Sequence, residues 1–157
     1  GIFLLIGVVA LPAAMLLPAL TKAKQKAQTI SCISNEKQLA LAVRMYSDDH
    51  SDQFPSAQTW CDSIQSYVGG SRVFQCSIKP DQRCGYAFNQ KLDGKKNSEV
   101  SPHTVMIFES DLGWNGSGGR EAMLSPSPHG HMFVVGFADG HVEQLSAAQL
   151  QQLRWDP

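Results

Sequence analysis

The first twenty positions, Gly1 to Leu20, contain no charged or polar side chain. Wound as a helix, such a run is about 30 Å long, the thickness of a bilayer core. The pattern changes at Thr21. Lys22, Lys24 and Lys26 interrupt the apolar run, and then Ile33, Leu41 and Met45, with Ala42, Val43 and Tyr46, recur at helical spacing. No glycine or proline stands between Pro18 and Pro55. The pattern predicts one nearly continuous helix to about Ser47, bare hydrophobe first and amphipathic second, with the second half lying on a sheet. Pro12 and Pro18 are interior prolines, which remove backbone hydrogen bonds and kink or melt a helix. A lone membrane anchor tolerates them poorly, and a helix packed among copies of itself tolerates them better.

After Phe54-Pro55 the period shortens. Trp60 to Val68 predicts a short helix broken by Gly69-Gly70-Ser71. Val73 to Cys76 predicts a strand or the end of a turn. Cys84 to Asn89 and Thr104 to Glu109 predict strands, the second buried. Asp111 to Gly119 and Ser125 to His129 predict surface loops. Met132 to Ala138 and His141 to Leu145 flank Asp139-Gly140, which predicts a two-residue hairpin with Ala138 opposite His141. One of its faces would show Phe133, Val135, Phe137 and Val142 and pack on the long helix. The other would show Val134, Gly136, Ala138, His141 and Glu143. Ser146 to Gln149 forms a capping box for a short helix carrying Leu150 and Leu153. The expected fold class is α+β, a long N-terminal helix spine packed on a small antiparallel sheet. Three regions follow: a hydrophobic assembly or membrane segment at 1–20, the amphipathic half of the helix at 21–50, and a globular head at 51–157.

Composition sharpens this division. The 157 residues carry a net charge of −1, which argues against nucleic acid as a bulk electrostatic partner. Mean hydropathy is −0.17, an average that hides a greasy rod joined to a polar domain. A secretory signal begins with a basic region, and no charge precedes this run. Four cysteines, Cys32, Cys61, Cys76 and Cys84, allow three pairings.

Several stretches in order resemble a known family. They are Ala13 to Lys24 with its Leu-Leu-Pro18, Ser31 to Ala42, Met45-Tyr-Ser-Asp-Asp49, Phe74-Gln-Cys76, Cys84 to Asn89, and His129 followed after nine residues by Asp139-Gly140. Together they resemble the type IV pilin-like and type II secretion pseudopilin-like proteins marked by a His-x9-Asp-Gly motif. The resemblance covers nearly the whole chain and implies the pilin fold. It also implies a structural, non-enzymatic subunit of an extracellular filament on the cell surface. Such a subunit is held in the inner membrane before assembly, is handled by a prepilin peptidase and the pilus assembly machinery, and polymerises as a helical homo-oligomer. Assembly would bury Ile2, Phe3, Leu4, Leu5, Ile6, Val8, Val9, Leu11, Met15, Leu16, Leu17 and Leu20 in a central bundle, favourable at ~25 cal/mol per Å² of apolar surface. The family commonly loses helix near its proline, which implies a melted stretch between Pro12 and Pro18. Family members usually begin Phe-Thr-Leu-x-Glu, and the alignment on Pro18 places that glutamate's position at Gly1. The family folds where disulfides persist, and the resemblance implies Cys32 with Cys76 and Cys61 with Cys84. The alternatives are a pseudopilin of a short periplasmic fibre and a monomeric, membrane-tethered binding domain.

Candidate chemistry is sparse. At about 3.3 Å per residue, a strand from 131 to 138 would hold His129 roughly 20 Å from Asp139, too far for a proton relay. Asp139 is expected to serve the turn, and His129 a loop hydrogen bond or a neighbouring subunit. His129 and His131 would project to one side, an arrangement compatible with weak metal binding. The closely spaced cysteine pairs of zinc sites are absent, so no metal thiolate is expected. Asp48 to Asp52 resembles the start of a calcium loop but lacks its glycine and closing glutamate. Asp48, Asp52 and Asp111 remain as loose calcium candidates, with capping of a solvated helix end preferred. No other cofactor is expected. Asn115-Gly-Ser117 is a glycosylation sequon in an exposed loop.

Overall fold

The computed structural model describes the backbone from Ile2 to Pro157 and the side chains from Leu16 onward. Helix α1 spans Ile2–Asp49. The head adds α2 (Trp60–Ile64), β1 (Tyr86–Asn89), β2 (Val105–Glu109), β3 (Ser117–Gly118), β4 (Met132–Phe137), β5 (Val142–Ser146) and α3 (Ala147–Leu150). The architecture is α+β, with a long helix packed on a five-stranded sheet of order β3-β1-β2-β4-β5. The sheet is mixed and not purely antiparallel, because Ser117–Gly118 pairs in parallel with Phe88 and Asn89. The segment from 111 to 119, expected as loop alone, thus supplies an edge strand. Of the two expectations for Val73 to Cys76, a strand or the end of a turn, the structure shows the second: Val73 and Phe74 close a 3₁₀ turn over Ser71–Phe74. The capping box is present: Ser146 accepts from the Gln149 N–H while Gln149 reaches back to the Ser146 N–H.

The expected loss of helix between Pro12 and Pro18 is corrected, since α1 is one helix through both positions. Proline's φ is already helical and it forfeits one backbone bond. The alanines and leucines around Pro18 are strong helix formers that carry the winding on. The remaining assembly positions, Ile2 to Met15, have side chains outside the described residues. Among the described residues no helix is long and apolar enough to cross a membrane.

The buried stripe of α1 is narrower than its apolar pattern. Cys32, Glu36, Leu39, Ala40, Ala42 and Val43 are buried, whereas Leu41 and Met45 are 48% and 52% exposed. The helix sits on the face of β4 opposite to the one expected. Gly136 lies under it: a Cβ there would stand 3.4 Å from the Glu36 carboxylate and 3.7 Å from the Ala40 Cβ. Ala138 belongs to the same core as Leu39, Val43, Phe88 and Met106. Phe133, Val135 and Phe137 instead pack with Phe108, Leu145, Leu150 and Trp155 beneath the C-terminal segment. Small residues let a helix approach closely, and large ones fill the wider gap on the far side.

The hairpin register is the second correction. Gly136 pairs with Val142 and Val135 with Glu143. Phe137 N–H donates to the His141 carbonyl at 2.9 Å, and Gly140 N–H donates to the Phe137 carbonyl at 2.8 Å. The loop is therefore Ala138-Asp139-Gly140, a three-residue turn whose last position needs the left-handed backbone that Gly140 supplies at φ +91°. A one-residue slip turns every β5 side chain to the other face, which is why Val142 joins the helix-facing core.

Candidate functional site

The α1-facing side of the sheet assembles four side chains that lie far apart in the chain. Cys32 comes from α1, Cys76 from the turn after Phe74, Glu109 from the end of β2 and His129 from the loop before β4. Their ligand atoms all lie within 4.8 Å of one another. Cys32 and Cys76, 44 residues apart, have sulfurs 2.7 Å from each other. Cys76 Sγ lies 3.5 Å from Glu109 Oε1, and His129 Nε2 lies 2.6 Å from the same oxygen. The His129 and Glu109 side chains are 0% and 5% exposed.

Each member is held by a neighbour. Thr29 donates its hydroxyl hydrogen to the Gln25 carbonyl at 3.0 Å. Its oxygen is thereby free to accept from His129 Nδ1–H, 3.1 Å away. This fixes the imidazole with Nε2 turned inward. The Ser127 hydroxyl accepts from the His129 backbone N–H at 3.1 Å. Ser77 N–H donates to Cys32 Sγ at 3.2 Å. The Tyr86 hydroxyl donates to the Cys32 carbonyl at 3.1 Å, and Asn35 of α1 donates to the Gln75 carbonyl at 3.0 Å. Two shallow grooves approach the cluster. One of about 440 Å³ is lined by Lys22, Lys26, Thr29, Ile78 and His129. The other, about 280 Å³, is lined by Ser31, Asn35, Arg72 and Cys76.

Burial and pairing set the charges. Burial alone would depress His129, but hydrogen bonds to Cys32 and Glu109 outweigh it and raise its pKa to about 9. Burial pushes Glu109 above the usual carboxylate range against the pull of His129. With both sulfurs as thiols, the Cys76 hydrogen bond draws Cys32 down to about 4 and pushes Cys76 up. One turn along α1 from Cys32, Glu36 is fully buried and neither of its oxygens has a hydrogen-bond partner. Burial and then the nearby Glu109 push its pKa well above the ordinary value, opposed weakly by the Gly136 amide. Burial therefore favours the protonated form of Glu36.

The chain matches no family model, no curated protein and no solved structure.

The residues singled out from sequence separate in space. His129 and Asp139 engage different partners. Asp139 accepts from the His141 N–H at 3.0 Å and also pairs with the His141 ring, in keeping with a turn role. His129 is not a surface contact awaiting a neighbouring subunit, because its imidazole is buried against Thr29 and Glu109. His131 is exposed and stands outside the cluster. Among the described residues, Asp48, Asp52 and Asp111 form no ligand group. Asp52 instead accepts from the Ser98 N–H at 2.9 Å. The second cysteine pair, Cys61 and Cys84, has sulfurs 3.8 Å apart in the core.

Asn115 has a structural task that the sequon pattern did not suggest. Its Oδ1 accepts from the Cys61 N–H at 2.9 Å and its Nδ2 donates to Asp62 Oδ2 at 2.6 Å. It caps α2, whose own Thr59 makes no side-chain cap. Glu109 and Glu36 were missed. A signal for Glu36 was present, since an acid stands on the stripe Cys32, Glu36, Ala40, Val43 at helical spacing. Glu109 closes an otherwise apolar strand, a weaker signal of the same kind.

Proposed function

We propose that this chain is a structural subunit of a type IV pilus-like filament, polymerising through the apolar first half of α1. One observation carries the reading. Leu16, Leu17 and Leu20 are 67%, 66% and 67% exposed, and among the described residues the first hydrogen bond from the helix to the head comes at Gln28. A 48-residue helix is about 72 Å long, and its residues from 16 to 27 stand exposed, clear of the head. An uncovered apolar rod on a folded polar head is stable in water only when other apolar surface encloses it. Copies of the same rod supply that surface in a fibre, and acyl chains supply it before assembly. The head then forms the outer coat, and no catalytic step is assigned to it. Cys32 with Cys76 and Cys61 with Cys84 are the disulfide pairs proposed for the mature subunit, each brought together by the fold.

The test is electron microscopy of material sheared from cells, with mass spectrometry of the subunit. Thin fibres built of this chain are expected, and Leu16→Asp with Leu20→Asp abolishes them while the head keeps its circular dichroism. Detergent-soluble monomers alone, even from whole envelopes, would overturn the filament and leave the tethered module. Short fibres confined to the envelope would favour the pseudopilin.

A further inference from the structure

A disulfide accounts for two sulfurs, but not for the buried acid and imidazole standing against them. Buried charges in proteins are paired or coordinate metals. The arrangement around His129 and Cys32 has the features of a metal shell. A ligating histidine turns one nitrogen to the ion and donates the other N–H to a neighbour, which is the geometry that Thr29 imposes on His129. The Ser77 N–H on Cys32 Sγ stabilises a thiolate.

We propose that the reduced Cys32/Cys76 pair, with His129 Nε2 and Glu109 Oε1, forms a four-coordinate site for a borderline-soft divalent ion, zinc above all. Two sulfurs, one imidazole and one carboxylate suit a tetrahedral ion and exclude calcium, which takes oxygen ligands. With bonds of about 2.3 Å to sulfur and about 2.0 Å to nitrogen and oxygen, ligand atoms stand roughly 3.3–3.8 Å apart. The Cys76–Glu109 edge is already at 3.5 Å. The Cys32–Cys76 edge at 2.7 Å and the His129–Glu109 edge at 2.6 Å open by about an ångström or less on loading. Both sulfurs bind as thiolates, His129 gives up its Nε2 proton and Glu109 binds ionised, so loading releases to solvent whatever protons these four groups hold. Four separate segments supply the ligands, so no short cysteine spacing announces the site. The site is independent of filament assembly. It is also exclusive of the disulfide: joining the sulfurs, with two electrons passing to a disulfide oxidant that leaves as two thiolates, removes two of four ligands and releases the ion.

The experiment is titration of the full-length, dithiol-reduced protein with Co(II), followed by displacement with Zn(II). One ion per chain is expected, with thiolate-to-cobalt charge-transfer bands and intense tetrahedral d–d bands. The oxidised protein should give neither. Cys76→Ser should lose the charge-transfer band from its sulfur, Thr29→Val should weaken affinity by about 10- to 100-fold, and Cys61→Ser should leave the spectrum unchanged. Circular dichroism confirms folding of each variant, and Thr29→Val decides if Cys76→Ser does not fold. A silent spectrum from reduced, folded protein overturns the site. So does charge-transfer intensity undiminished in Cys76→Ser, and so do bands that need Cys61, that ignore Thr29→Val, or that appear equally in oxidised protein.

Discussion

The two cysteine pairs occupy the same core and differ in what surrounds them. Cys61 and Cys84 lie among Trp60, Phe74 and Ile64. Their polar contacts are backbone groups, with Cys84 donating to the Tyr86 carbonyl at 3.2 Å and the Asn115 N–H donating to Cys61 Sγ at 3.3 Å. Cys32 and Cys76 face Glu109 and His129, with Glu36 one helical turn away. In the first, burial pushes the Cys61 thiol up while the hydrogen bond from Cys61 draws Cys84 down, with no cationic side chain among the causes. The second favours charged sulfur, since an imidazolium lies within reach. Identical residues thus gain different chemistry from the elements that meet there, and α1 is the element that makes the difference.

The largest way to break this contrast is His129→Leu. It leaves Glu109 buried without its partner and should cost about 3–5 kcal/mol, read as a shift of the denaturant midpoint. The matching change at the quiet pair has no such cost, and equal losses at both would erase the distinction. Reduction comes next. In the oxidised protein the Cys32–Cys76 bridge closes a 44-residue separation and Cys61–Cys84 one of 23. Chain entropy assigns them about 4 and about 3 kcal/mol, so Cys32→Ser with Cys76→Ser should lower the melting temperature more than Cys61→Ser with Cys84→Ser.

Glu36 sharpens the comparison through pH. Its folded pKa is raised, chiefly by burial, with Glu109 of β2 and Cys32 of its own helix adding like charge. The protonated form is the one the fold favours. Its contribution is fully present below about pH 4.3, the ordinary glutamate value, and is lost as pH rises through the folded value. Glu36→Gln should therefore stabilise the protein at neutral pH, read as a higher denaturant midpoint, and flatten stability against pH above that range. A variant no more stable than the parent at pH 7 would remove the favoured protonated form from the picture. The smallest effect belongs to the quiet side, where Asn115→Ala removes the cap of α2 and should cost about 1 kcal/mol by chemical denaturation.

The sequence patterns and the structure agree where one element decides for itself. The helix to the region of Asp49, the strands ending at Asn89 and Glu109, and the Ser146 capping box all follow from local spacing. The disagreements arise where two elements must meet. Alternation in β4 gives two apolar faces, and only the presence of α1 selects Gly136 and Ala138 as the side for close approach. The turn after Phe137 is a matter of one residue, settled by where Gly140 takes its positive φ. The cysteine–histidine–glutamate cluster has no local signature at all, because His129 and Thr29 are separated by 100 residues and meet only when the sheet docks on the helix.

The cap on α2 bears on the order of folding. The amides of Cys61 and Asp62 wait for Asn115, which lies 54 and 53 residues further along the chain. A helix of five residues cannot persist alone in water. Helix α2 therefore gains its cap only once the long loop has closed. A cap made that late is expected to act as a latch, so that Asn115→Ala speeds unfolding more than it slows folding in stopped-flow measurements.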